Sequence, residues 1–211
     1  MKHSSASITF VCGMRGCGKS TLTHQLANHH ARKIVFDYVD EWNQPENCVV
    51  KSYDEFANIF REVFTRDQYT IVVKFAFGTP PDDIKDISSQ IITLLFKTGK
   101  DSEIEACLVF EEAQFYFPNH TLEPAFMSLL TIGRHEHLNI IANTQRPASV
   151  SKLLISQAKD IYIGQLYESN DIKYLHETVG ALADEARNLK QLEFIHYPIG
   201  DHKNVAIVEL K

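Results

Sequence analysis

Residues 13–20 read Gly-Met-Arg-Gly-Cys-Gly-Lys-Ser and fit the pattern G-x-x-x-x-G-K-[ST] of a phosphate-binding loop. The flanks suit it. Ser7 to Cys12 is apolar and β-branched, as a buried strand is, and Thr21 to Asn28 places Leu22 and Leu26 on one helical face. Glycines let successive N–H groups turn inward around a phosphate without Cβ clashes. The start of the helix adds unpaired N–H donors and a partial positive charge. Gly13, Met14, Arg15, Gly16, Cys17, Gly18, Lys19, Ser20 and Thr21 are therefore expected to cradle a nucleotide's phosphates. Lys19 is expected to reach the β- and γ-phosphates, and the Ser20 hydroxyl to ligate Mg²⁺, an ion that keeps several waters and few protein ligands.

The 211 residues suffice for one α/β domain spanning 1–211. No apolar run approaches a membrane span. Met1 to Ala6 leads straight into the first strand, so no signal peptide is expected. Cys12, Cys17, Cys48 and Cys107 show no C-x-x-C pairing, which points to a reducing interior, with Cys12 and Cys107 as small core residues. The histidines, including His29-His30, His135 and His137, lack the company of a metal site. The net charge of −6 matters for partners, because a protein that coats nucleic acid carries a basic face and this chain does not advertise one.

Further strands are expected at Lys33–Tyr38, Tyr69–Phe75, Ala106–Phe110, Leu138–Asn143 and Asp160–Leu166. A capping box, Ser52 to Glu55, opens a helix with Phe56, Ile59, Phe60 and Val63 on one face. The break Gly78 to Asp83 starts another, striped by Ile84, Ile87, Ile91, Leu94 and Leu95. Helices are also expected through Phe126 to Ile132, from Val150 to Gln157, and at 169–177 and 180–190. The chain closes on a hairpin, Leu192–Tyr197 and Asn204–Leu210, around a Pro198–Asp201 turn. Alternating strands and helices imply a mainly parallel sheet with helices on both faces.

The strand Ala106–Phe110 is a continuous apolar run that ends in Glu111 and Glu112. Neighbours in a strand point to opposite sides, so the two carboxylates should do different jobs. Glu111 is assigned to the metal side, through the ion's water shell, and Glu112 to the base that orients or deprotonates an attacking water. A base aimed at water suits a hydrolase, whereas a phosphoryl-transfer kinase keeps water out. Hydrolytic phosphate-loop enzymes work by positioning and charge stabilisation, often with an arginine from a neighbouring subunit. Arg134 and Arg146, before and after the fifth strand, are the candidates, and each could instead be a surface salt-bridge partner. Gln145, at the tip of that strand, is placed to sense the γ-phosphate or the water.

Taken together, Gly133-Arg134-His135, the apolar strand that follows and Asn143-Thr144-Gln145-Arg146-Pro147-Ala148-Ser149-Val150-Ser151 resemble the FtsK–HerA superfamily of DNA-pumping ATPases. Leu153 to Gln157, Asp160 to Gly164 and Ser169-Asn170-Asp171 are similar to that family's continuation, so the resemblance covers about residues 7–175. It implies an α/β P-loop NTPase with a RecA-like (ASCE) core, a C-terminal β-hairpin at its end, and Mg²⁺-dependent hydrolysis of ATP. It also implies a hexameric ring moving double-stranded DNA. The bare core is similar to the genome-packaging branch of internal-membrane, double-jelly-roll viruses. A viral capsid or portal partner and a place in host cytoplasm or virion follow from that branch. The metal-side residue is Glu111, where Asp is more usual. With an acidic net charge, DNA contact is expected only at a few lysines, with Lys97, Lys100 and Lys152 as candidates. The rival readings are a cellular or plasmid translocase, a small-molecule kinase (which needs an arginine-rich lid not found here) and an assembly protein that binds ATP to oligomerise.

Overall fold

The computed structural model describes residues 6–102 and 105–210; residues 1–5, where the absence of a leader was expected, lie outside them. The strands are β1 (Ile8–Cys12), β2 (Arg32–Asp37), β3 (Cys48–Val50), β4 (Tyr69–Lys74), β5 (Ala106–Phe110), β6 (Leu138–Thr144), β7 (Asp160–Ile163), β8 (Glu193–Pro198) and β9 (Ala206–Glu209). Between them run α1 (Lys19–Ala27), α2 (Tyr53–Val63), α3 (Pro81–Ser102), α4 (Pro124–Ile132), α5 (Lys152–Gln157), α6 (Ser169–Val179) and the short α7 (Leu182–Glu185). The nine strands form one sheet in the order β3-β4-β2-β5-β6-β1-β7-β8-β9. From β3 to β7 every pairing is parallel; β8 and β9 add an antiparallel hairpin at one edge. This is the expected α/β phosphate-loop architecture, closing hairpin included.

The strand order decides where the chemistry can happen. β6 lies between β1 and β5, with Cys12 paired to Thr144 and Phe110 to Ala142. Parallel strands carry their C-terminal ends to the same edge, about 5 Å apart from one neighbour to the next. The loop after β1, the carboxylates after β5 and Gln145 after β6 therefore emerge side by side.

All of β5 and all of β6 are buried, as strands covered on both faces must be. The cover is uneven. One face packs against α2 to α6, through Phe56, Phe60, Ile91, Phe126, Leu154 and Leu175 among others. The opposite face is covered by α1 (Leu22, Ala27), by Trp42 from the β2–β3 loop, and by Phe194 and Leu210 of the hairpin region. Ahead of the carboxylates Phe110 stacks on Phe36 with centroids 4.7 Å apart, and Phe117 meets it edge-on at 4.9 Å. Cys12 and Cys107 are core residues, as expected.

Three local expectations change. The edge strand β3 was not anticipated: three residues, Cys48 to Val50, are too short to show a period. The helix expected over 180–190 contracts to Leu182–Glu185, followed by turns. At α2 the Ser52 hydroxyl accepts from Glu55 N–H at 3.2 Å, but the Glu55 carboxylate accepts from Lys51 N–H, one residue before the cap.

Because Phe110 anchors the strand that presents both carboxylates, Phe110→Ala is expected to cost about 3–5 kcal/mol of unfolding free energy. Urea denaturation followed by circular dichroism measures it.

Candidate active site

The loop after β1 is closely packed. Gly13 N–H donates to Thr144 O at 3.3 Å and Met14 N–H to Gln165 O at 2.7 Å, which ties the loop to the ends of both neighbouring strands. A Cβ on Gly13 would lie 2.6 Å from Cys17 Sγ and 3.2 Å from Gly164 Cα, so no larger residue fits there. Gly18 caps α1 in a left-handed conformation, with no side-chain cap and no acidic residue in the first turn. The first N–H groups of α1 thus have no built-in anion partner, the condition under which a helix start takes phosphate. Lys19 is buried, and its ammonium donates to Met14 O at 3.0 Å across the loop. Cys17 N–H converges on that same carbonyl at 3.3 Å. Ser20 follows on the first turn, half-buried.

The two carboxylates part company as expected, though strand alternation is only part of the reason. Glu111, just past β5, is 1% exposed. One oxygen accepts from Trp42 Nε1–H at 2.9 Å and the other from Asn143 Nδ2–H. Burial pushes its carboxyl up to about 7, against the pull of those two donors. Asn143 spends its amide fully: it also donates to Thr23 Oγ1 of α1 at 3.0 Å and accepts from the Glu112 backbone N–H at 3.3 Å. Glu112 takes a left-handed backbone, φ 57°, rare for a residue with a Cβ and often kept at functional sites. That turn sends its side chain toward β6. There Gln145 Nε2–H donates to one oxygen at 2.5 Å and Gln114 Nε2–H to the other at 3.0 Å. Gln114 is held in turn by the Thr144 hydroxyl at 2.7 Å.

The structure brings Lys19, Ser20, Glu111, Glu112 and Gln145 to one edge of the sheet. It does not bring Arg134 there. That residue is exposed in the turn before β6, and the seven residues of β6 put about 20 Å between it and the edge bearing Gln145. Arg146 is at the right edge, but its guanidinium lies 3.7 Å from Asp171 and 3.9 Å from Glu168 of its own chain. Among the lysines considered for DNA, Lys152 is paired with Glu177 and Lys97 is exposed, while the side chain of Lys100 lies outside those described.

Trp42, Asn143, Thr23 and Gln114 belong to the site and were not singled out from the sequence for it. Asn143 did carry a signal, a polar residue at the end of the apolar run Ile140–Ala142, although Asn139 of the same strand carries the same signal and lies at the far end. Trp42 lies 69 positions from the carboxylate it meets, and only the fold joins them. Trp42→Phe keeps an aromatic ring, though a smaller one, and deletes the donor to a buried carboxylate. It is expected to cost about 1–3 kcal/mol of stability, measurable by chemical denaturation.

Comparison with known proteins agrees with this architecture. A family model described as an AAA domain (AAA_22) matches residues 2–160. No curated protein matches the chain by sequence. Among solved structures, the genome packaging NTPase B204 from Sulfolobus turreted icosahedral virus 2 in complex with ATP-gammaS is similar. It has a TM-score of 0.74 and 21% identity, over 100% of this chain and 98% of that one. The DNA-packaging ATPase B204 from Sulfolobus turreted icosahedral virus aligns with a TM-score of 0.73 and 20% identity, over 97% and 98% of the two chains. The bacterial conjugative coupling protein TrwBdeltaN70 aligns with a TM-score of 0.70 and 12% identity, over 100% and 86%. At these identities the solved structures establish the fold, and the family model spans well over half of the sequence: the chain belongs to the AAA_22 family of AAA-domain P-loop proteins.

Proposed function

We propose that this chain is an ATP-hydrolysing motor that moves double-stranded DNA, acting as a viral genome-packaging ATPase with one ATPase domain per subunit. The observation that carries the reading is the Gln145–Glu112 hydrogen bond at the tip of the strand between the phosphate loop and the acidic strand. A carboxylate held there by two amides has a fixed direction, as a base for water must. The glutamine that holds it is one residue past Thr144, whose carbonyl binds the phosphate loop, and so is placed to couple γ-phosphate to base. The similar structures, a genome packaging NTPase in complex with ATP-gammaS and a DNA-packaging ATPase, support this choice of substrate and task. The conjugative coupling protein supports the second reading, a plasmid or cellular translocase.

Mg²⁺ fits the donor set, which offers the hard oxygen ligands it prefers: the Ser20 hydroxyl would bind it directly and Glu111 through water. When bound, the ion would supply positive charge against the nucleotide's phosphates. Lys19 neutralises the same groups from the loop. Glu112 receives the proton of the attacking water, and Gln145 and Gln114 hold it in place. Negative charge on the departing phosphate then needs a further cation; at this subunit's own edge Arg146 is engaged by Asp171 and Glu168, while Arg15 of the phosphate loop is exposed. Arg134, exposed at the opposite edge, is suited to reach the nucleotide of a neighbouring subunit in a ring. Host cytoplasm or the packaging vertex of a virion is the corresponding location, with capsid or portal proteins as partners. No helix among the described residues is long and apolar enough to cross a membrane.

Three measurements test this. ATP turnover is expected to rise with double-stranded DNA and to fall by about 10²–10⁴-fold in Glu112→Gln, with nucleotide binding retained. Turnover that survives in that variant would remove Glu112 from the role of base, and phosphate transfer to a small acceptor would favour a kinase. Arg134→Ala is expected to bind ATP normally and lose about 10³-fold or more of its turnover. Mixing Arg134→Ala with Lys19→Ala subunits should restore part of the activity, because each lacks what the other brings to a shared interface. Assembled mixed rings that stay inactive would rule out a finger supplied in trans.

A further inference from the structure

The segment Gln191–Leu192 that leads into β8 lies against the phosphate loop, and nothing in the chemistry above uses it. Gln191 Nε2–H donates to Gly16 O at 3.1 Å. Leu192 N–H donates to Cys17 O at 2.9 Å. The Leu192 side chain closes on the loop as well, its Cδ2 lying 2.6 Å from where a Cβ on Gly18 would be. Leu192 holds this pose with φ 68°, a conformation residues with a Cβ adopt rarely and at a cost. The pose is braced from behind, where Leu210 N–H donates to Leu192 O at 3.0 Å. Cys17, Leu22, Phe194 and Leu210 form one buried cluster beneath it.

A trans peptide points its C=O and the following N–H in opposite directions. With the carbonyls of Gly16 and Cys17 both drawn outward, the N–H groups of Cys17 and Gly18 must face the inner side of the loop. The structure bears this out for the first: Cys17 N–H points at Met14 O, the same carbonyl that Lys19 Nζ reaches from within.

The geometry points to Gln191 and Leu192 as positioning residues of the nucleotide site: the strap ahead of the C-terminal hairpin fixes the two loop peptides so that their N–H groups face the inside of the loop, where an incoming phosphate would take the Cys17 N–H from Met14 O. The inference rests on the nucleotide-binding reading of the loop and adds a second element to it, 175 residues away in sequence. Preorganised donors bind without first reorienting, so the strap strengthens phosphate binding without touching the ligand. Gly18 is then required for two reasons, its positive φ and the Leu192 side chain that occupies the space of a Cβ.

The test is ADP affinity by calorimetry. Gln191→Met keeps the length of the side chain and removes the donor. It is expected to weaken ADP binding by up to about three- to ten-fold, the hold that one net hydrogen bond has on the loop, with the nucleotide-free protein losing no more stability than that one bond. Leu192→Ala keeps its backbone N–H and loses the wedge, and is expected to weaken binding as well. In ¹⁵N-labelled protein the Cys17 and Gly18 amides should shift on adding ADP, and those shifts should shrink in Gln191→Met. Native ADP affinity in both variants would overturn the proposal. A drop in affinity that comes with a loss of stability well beyond one hydrogen bond, or with native ADP-induced shifts of the Cys17 and Gly18 amides, would also overturn it, leaving the strap an ordinary packing role. A native chain that binds no ADP would show instead that the nucleotide site is wrong, and the strap's role would fall with it.

Discussion

The parallel ladder β1–β6–β5 is the constraint on which the rest depends. Strand ends have no freedom to wander once the hydrogen bonds of a ladder are made. Pairing Cys12 with Thr144 and Phe110 with Ala142 therefore fixes where three loops begin. One carries phosphate-binding amides, one carries two carboxylates and one carries a glutamine. Their adjacency costs little once the sheet has formed, and the sheet forms because its central strands are apolar on both faces.

What the ladder places, a buried polar network orients. Asn143 ties the two carboxylate-bearing residues to α1, and Trp42 closes the other side of Glu111. A buried polar group without a partner is destabilising by more than a made hydrogen bond stabilises, so such a network is effectively present whole or not at all. Glu111 remains the tense member. Two donors do not offset the loss of water around a carboxylate with 1% exposure, and its carboxyl rises to about 7. A divalent cation held close to it would favour the ionised form through its charge. Glu112 differs because its left-handed backbone turns it out of the strand and toward the side-chain amides of Gln145 and Gln114.

The two arginines show how one feature of the sheet divides candidates that are close in sequence. Arg134 and Arg146 flank a single strand and so lie at opposite edges of the molecule. One is exposed and remote from its own phosphate loop, and the other is held by an acidic pair. Only a second subunit can bring the first of them to a nucleotide.

The sequence by itself determined the loop, the order of most elements and the principal chemical residues, because each is a local matter. Gly13 to Ser20 is a contiguous pattern, Ala106–Phe110 is an unbroken apolar run ending in acids, and Gln145 follows directly on a strand. Only the tertiary structure decided what touches what. Trp42 on Glu111, Asn143 on Thr23 and Gln191 on Gly16 join residues 69, 120 and 175 positions apart, and no local period records such pairs. The left-handed turns at Glu112 and Leu192 were equally illegible, since neither residue type announces positive φ. They exist because surrounding contacts outweigh a local preference, a balance struck only when the whole chain has packed.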